Sequence, residues 1–107
     1  MDHYDEEYAQ LERSHKQAEL RHLYEVEDLK GTMATSNGRA VIWRILEFCG
    51  VHRASFEGDA NHTFVREGER KVGQRIYQMI SELPDGDDLL IKMQIEAKTR
   101  SEELKNG

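Results

Sequence analysis

Apolar residues recur at spacings of three and four along most of this chain, and a single proline, Pro84, interrupts the pattern. This spacing is typical of one face of an α-helix, and no segment shows the convincing alternation of a strand. Residues that favour helix, such as Glu, Lys, Leu and Ala, are abundant. The sequence therefore predicts an all-α fold, a small bundle of about four helices at 3–29, 36–49, 62–83 and 87–103, with a connector at 50–61.

The first predicted helix carries a heptad seam with little apolar surface. Its positions alternate in steps of four and three, at Tyr4, Tyr8, Leu11, His15, Ala18, His22, Glu25 and Leu29. A helix this polar gains little by packing, so it needs a partner, either the rest of the chain or another copy. The seam is a candidate self-association surface. If it pairs with its own copy, histidine protonation near about pH 6 should loosen the assembly, which light scattering can test.

Gly31 is predicted to break this helix, dividing the chain into an acidic arm, 1–30, and a compact helical domain, 31–107. Thr35 or Ser36 is expected to cap the second helix, and Gly50 is expected to follow its end. Aspartates near residue 85 suit the start of the last helix. The predicted core positions are Val41, Ile42, Ile45, Leu46 and Cys49, then Val65, Val72, Ile76, Met79, Ile80 and Leu83, then Leu89, Leu90, Met93, Ile95 and Ala97.

Charge is unevenly distributed along the chain. The formal net charge is −6, of which residues 1–30 contribute −5 and residues 31–83 contribute +1. The single cysteine, Cys49, excludes an internal disulfide and any multi-cysteine zinc site, and it suits a reducing cytoplasm. No apolar run approaches the roughly 20 residues that span a bilayer, and the acidic start is unlike a signal peptide. We expect a soluble protein that is made where it works or is packaged from there.

The residues that could carry chemistry favour no enzyme. His15 and His22 are two helical turns apart, too far for one ion within a chain, so no metal site or cofactor is expected. Cys49 lies at a helix C-terminal end, which does not lower a thiol pKa, and core packing explains it better. "EGERKVG" lacks the strand-loop-helix context of a phosphate-binding motif.

A nucleic-acid contact is the alternative. "VIWRILEFCGVHRASF" has the outline of a helix-turn-helix, and Arg66 with Arg70, and Lys71 with Arg75, form short basic stripes at i,i+4. Against this, "HRASFEGDANH" is too rich in Gly, Asp and Asn for a recognition helix. The arginines can instead pair with Glu57, Glu67 and Glu69.

The segment at 50–74 is interpreted as a structural elbow. Phe56 and Phe64 are expected to fold back onto the Trp43 helix, with Gly68 and Gly73 giving them room. Glu67, Arg70 and Arg53 are expected to bind the connector backbone. The elbow residues are Trp43, Cys49, Gly50, Phe56, Phe64, Glu67, Gly68, Arg70 and Gly73. Phe56→Ala should then cost about 3 kcal/mol, the scale for a buried aromatic.

These residues also carry a family resemblance. The run from residue 30 to 97 resembles a family of short tailed-bacteriophage proteins named after a Bordetella phage gene product. The matching positions are Gly38, Arg39, Trp43, Cys49, Gly50, Val51, Ser55, Phe56, Gly58, Phe64, Glu67, Gly68, Arg70, Val72 and Gly73. The resemblance excludes the N-terminal arm and supplies no catalytic residue.

The resemblance implies a structural or assembly role, because such genes lie among the head and portal genes of short-tailed phages. We therefore expect a non-enzymatic virion protein that docks on portal, tail or internal ejected proteins and self-associates through its first helix. The alternative is a small DNA-associated or regulatory protein that uses the arginine stripes.

Overall fold

The part of the chain that the structure describes contains four helices, and short turns join the first two and the last two. The structure, a computed structural model, describes the backbone of residues 3–52 and 60–107 and the side chains of 3–52 and 63–107. The helices are α1 (His3–Met33), α2 (Ser36–Phe48), α3 (Ala60–Ser81) and α4 (Gly86–Asn106). No strand occurs in the described ranges, so the prediction of a small all-α bundle is confirmed.

The first helix is longer than predicted, because Gly31 does not end it. α1 runs on to Met33, whose side chain is fully buried. Gly31 is exposed, and a Cβ built there would meet nothing within 4 Å. A glycine in a helix interior costs only about 1 kcal/mol relative to alanine, and burial of Met33 two residues later offsets that cost.

The turn between α1 and α2 is built by Thr35 and Gly38. Thr35 is the N-cap of α2, and its Oγ1 accepts a hydrogen bond of 3.0 Å from the backbone N–H of Gly38. A Cβ at Gly38 would collide with the carbonyl group of Thr32, so only glycine allows α2 to start this close to α1. The predicted capping chemistry is confirmed at Thr35.

The second helix ends in a Schellman motif. Gly50 has φ of 71° and donates to the carbonyl of Glu47, while Val51 donates to the carbonyl of Leu46. This pair of bonds satisfies two carbonyls at the helix end and requires a left-handed residue, which glycine adopts without strain. Gly50 therefore has the predicted role.

The turn between α3 and α4 shows why α3 stops at Ser81, before the predicted residue 83. The proline at 84 disfavours helical backbone at the residue before it. Leu83 instead donates to Ile80 and accepts from Gly86 within the turn, with its side chain buried. Asp85 is the N-cap of α4 but makes no side-chain capping bond, whereas Asp87 and Asp88 lie in the first turn.

One core of six buried side chains joins all the elements. Its members are Met33, Leu46, Ile80, Leu83, Leu89 and Met93, with Val26, Leu29, Ile42, Trp43, Val51, Ile76, Tyr77 and Leu90 packed around them. Only the last two turns of α1 take part. The division expected at residue 30 thus falls inside a helix whose end belongs to the core.

Several predicted core positions are wrong. Val41 and Ile45 on α2, Val65 and Val72 on α3, and Ile95 on α4 are all exposed. The inward faces are formed by Ile42 and Leu46 on α2, Ile80 on α3 and Met93 on α4, which were also predicted core positions. Neighbouring apolar residues on one helix cannot all face a core this small, so some remain in water.

Candidate functional site

The most exposed feature of the molecule is the first part of α1. From His3 to Glu25 every residue except Ala9 is exposed, although Tyr4, Tyr8, Leu11, Leu20, Leu23 and Tyr24 are large and apolar or aromatic. α1 has 31 residues, which gives a rod of about 46 Å. The molecule accordingly measures 72 × 39 × 18 Å. We call residues 3–25 the free arm.

The predicted seam is divided by this arrangement. Seven of its members are exposed on the free arm, whereas Leu29 packs against the core of its own chain. The exposed members are Tyr4, Tyr8, Leu11, His15, Ala18, His22 and Glu25. The last turns of α1 are therefore packed in cis. The first six turns have no apolar partner within the described chain.

A charged junction fixes the base of the arm to the bundle. Arg39, only 9% exposed, makes a two-pronged ion pair with Glu96: Nη2 donates to Oε1 at 2.7 Å and Nε contacts both oxygens at 3.1 Å. Its Nη1 donates to the carbonyl of Met33 at 2.8 Å. One guanidinium thus joins the end of α1, the start of α2 and the middle of α4.

The pair shifts the acid-base properties of both partners. The hydrogen bond from Arg39 lowers the pKa of Glu96, helped by the charges of Arg39, Arg100 and Lys92 and opposed by desolvation. The same hydrogen bond raises the pKa of Arg39. Arg39 belongs to the family pattern, but Glu96 is 57 residues away in sequence and no local signal indicated their pairing.

The elbow contains a close helix approach at a different place from the predicted one. A Cβ at Gly73 would overlap the Val51 side chain and lie 2.8 Å from Cβ of Cys49. Gly73 thus gives room to the end of α2, where Trp43 or Phe56 was expected. Gly68 is exposed, and among the described residues no atom lies within 4 Å of a Cβ placed there. No described side chain uses the room at Gly68, and Phe56, one of the two residues predicted to use it, lies outside the described residues.

The aromatic part of the elbow is also different. Phe64 is 73% exposed, so the prediction that it folds back onto the Trp43 helix is wrong. Trp43 instead stacks on His52, with ring centroids 5.0 Å apart, and His52 meets Tyr77 edge-on at 6.0 Å. Gln94 Nε2 donates to the Tyr77 hydroxyl at 3.1 Å. Arg53, Ser55, Phe56, Glu57 and Gly58 lie outside the described residues.

The arginine stripe on α3 is partly used within its own helix. Arg66 pairs with Glu69 at 3.1 Å and Arg70 with Glu67 at 3.9 Å, which confirms the predicted pairing. Among the described residues, Arg70 Nε is buried without a hydrogen-bond partner. The second helix of the helix-turn-helix outline would fall on residues that lie outside the described ones, and the next described helix, α3, begins at Ala60.

Two adjoining clefts flank Trp43, between α2 and the second half of α4. Their volumes are about 350 and 560 Å³. Both are lined by Trp43, Glu47, Ala97 and Ser101, and the residues that line one or the other include Arg44, His52, Glu96, Lys98, Arg100, Leu104 and Lys105. We call the two clefts together the tryptophan groove. No sequence pattern indicated this groove, because its two walls are far apart in the chain.

The described residues contain neither a metal-binding cluster nor a membrane-spanning helix. Within residues 3–52 and 60–107, no three His, Cys, Asp or Glu side chains come together in a way that could hold a metal ion. Among the described helices, none combines the length and apolar character needed to cross a bilayer.

These features define a small all-α bundle protein with a projecting N-terminal helix. The sequence model of the Bbp19-like phage protein family matches residues 29–94, more than half of the chain, and the chain belongs to this family. The match begins at Leu29, where α1 reaches the core, and it leaves out the free arm. Searches of the curated proteins and of the solved structures found no match.

Proposed function

We propose that this phage protein is a non-enzymatic structural or assembly component of the virion. It self-associates through its free arm and docks through its bundle on portal, tail or internal ejected proteins. It is made in the host cytoplasm and incorporated into the particle there. The observation that carries the proposal is the free arm, about six helical turns of aromatic and aliphatic side chains with no apolar partner within the described chain.

The physical argument rests on the cost of an isolated helix. A single polar helix is marginal in water, and most helical stability in proteins comes from packing of one face. The described residues offer the free arm no such packing, and we infer that it comes from outside the chain. Neighbouring copies supply it without a further component, since every copy carries the same exposed Tyr4, Tyr8 and Leu11.

The self-association is tested by removing the exposed side chains of the arm. Tyr4→Ser, Tyr8→Ser and Leu11→Ser together should lower the solution mass of the chain in light scattering. Val65→Ser with Val72→Ser is the matched control, because these exposed residues lie on α3 away from the arm. Equal masses for all three proteins, each that of one chain, would refute self-association.

The place in the particle is tested by quantitative mass spectrometry of purified virions. A copy number equal to that of the portal ring, or a simple multiple of it, supports docking at the tail vertex or in the ejected core. Absence from mature particles would contradict the virion role and favour an assembly factor or a regulator.

The alternative, a DNA-associated protein, is supported by Lys71 and Arg75, exposed at i,i+4 on α3. Arg66 and Arg70, the other two basic residues of the predicted stripes, form ion pairs with glutamates of the same helix. These ion pairs weaken the DNA-binding alternative. DNA binding should decrease steeply from low to moderate salt, whereas apolar docking should change little.

A further inference from the structure

No described residue fills the tryptophan groove, which is basic on an acidic molecule. It is lined by four cations, Arg44, Lys98, Arg100 and Lys105, and three carboxylates, and one of these, Glu96, is already paired with Arg39. None of the four cations forms an ion pair with a described residue. The full chain carries a net charge of −6, so this local excess of positive charge favours an acidic partner.

The tip of the free arm, residues 3–12, has the complementary character. It contains the carboxylates Asp5, Glu6, Glu7 and Glu12 and no lysine or arginine. Tyr4, Tyr8 and Leu11 form one exposed stripe at i, i+4 and i+7, and Glu7 and Glu12 flank that stripe. An apolar stripe bordered by acids matches a groove that has Trp43, Ala97 and Leu104 within a basic rim.

The dimensions also agree. The α4 wall spans 13 residues, Met93–Lys105, or about 20 Å of helix, and the other wall runs from Ala40 on α2 to His52 in the turn that follows α2. The ten residues of the arm tip form a helix of about 15 Å. The arm leaves its own bundle as a continuous helix, with the tip exposed, so it does not occupy the groove of its own chain.

We propose that the arm tip of one copy docks in the tryptophan groove of a second copy, an inference that rests on the proposed self-association and names its receptor surface. The contact is heterologous, because arm and groove are different surfaces. Each added copy therefore leaves one arm and one groove free, and the assembly grows into a closed ring or an open filament. Pairing of two seams would instead stop at a symmetric dimer.

Two charge-reversal variants of the full chain test the docking. Lys98→Glu with Lys105→Glu reverses the groove, and Glu7→Lys with Glu12→Lys reverses the arm tip. The matched controls change the same number of charges elsewhere, Lys71→Glu with Arg75→Glu on α3 and Glu19→Lys with Glu25→Lys further along the arm. All eight positions avoid the buried core side chains.

Each docking variant should weaken self-association at least about tenfold in analytical ultracentrifugation, because like charges then face each other. Each control should stay within about twofold of the unaltered chain. A chain that carries both reversals should recover most of the affinity. A mixture of the two docking variants should also assemble again, because the unaltered arm of the groove variant fits the unaltered groove of the arm variant and the two reversed surfaces fit each other.

Trp43 provides a second readout, since it is the single tryptophan of the chain and lines the groove. Its emission should shift when the unaltered chain self-associates and should not shift in the groove variant. If both charge-reversal variants of the arm lose assembly and the groove variant does not, the docking is wrong. Self-association through the arm would still hold. If the unaltered chain has the mass of a single copy at every concentration, both the docking and the self-association are wrong.

Discussion

Gly73→Ala tests the close approach between α3 and the end of α2. In the interior of α3 the substitution should by itself stabilise the helix by about 1 kcal/mol. The new Cβ, however, would overlap the Val51 side chain and lie 2.8 Å from Cβ of Cys49. Both neighbours are held by the Schellman motif that ends α2, so they cannot yield without disturbing two backbone hydrogen bonds. Overpacking of this kind costs typically about 1–3 kcal/mol, and we expect a net loss of about 1 kcal/mol.

Gly68→Ala is the matched control on the same helix. Its glycine is exposed, with nothing among the described residues near a Cβ, so the helix gains about 0.5–1 kcal/mol. Urea denaturation followed by circular dichroism should separate the two variants by about 2 kcal/mol, and thermal midpoints should differ by about 8 °C or more. Equal stability of the two variants would refute the close approach. Gly31→Ala should behave like Gly68→Ala.

Three further predictions concern the junction, the core and the cap. Glu96→Gln should cost about 2 kcal/mol in urea denaturation because it leaves the buried Arg39 without a counter-charge, and Glu102→Gln, which is exposed, should cost little. The pKa of Glu96 in the folded protein lies below its ordinary value. The stability that ionised Glu96 contributes is therefore complete above about pH 4.3 and is lost as the pH falls through the lowered pKa. Glu96→Gln should abolish this pH-dependent loss of stability. Met93→Ala should cost about 2–5 kcal/mol and the exposed Ile95→Ala less than about 0.5 kcal/mol, so equal losses would contradict the assigned helix faces. Thr35→Ala should cost about 1 kcal/mol and Thr35→Ser much less, as measured by chemical denaturation.

The helix order and most helix ends could be predicted because they depend on local chemistry. Thr35 accepts the bond from Gly38, Gly50 adopts positive φ, and Pro84 prevents α3 from continuing, each acting within a few residues. Gly31 was the local exception. Its cost is small enough that burial of Met33 outweighs it, and no short-range signal shows that burial.

The candidate surfaces were less predictable. The heptad spacing predicted the seam of α1. It did not show that Leu29 packs against the core of its own chain while Tyr4 remains exposed. The tryptophan groove was not predicted, because its lining comes from α2 and α4, which are far apart in the sequence. Phe64 was assigned to the elbow on its aromatic character alone, and the fold leaves it in water.

By itself the sequence determined the all-α class, the capping chemistry and the acidic, weakly apolar first helix, because helix propensity, glycine conformation and charge act over a few residues. Only the tertiary structure decided which residue of each apolar pair is buried, that Arg39 joins three helices through Glu96, and that six turns of α1 remain free. Burial depends on the choice among competing helix faces, and an ion pair across 57 residues depends on how α2 and α4 cross. Such choices are made by packing of the whole chain, where no local pattern is decisive.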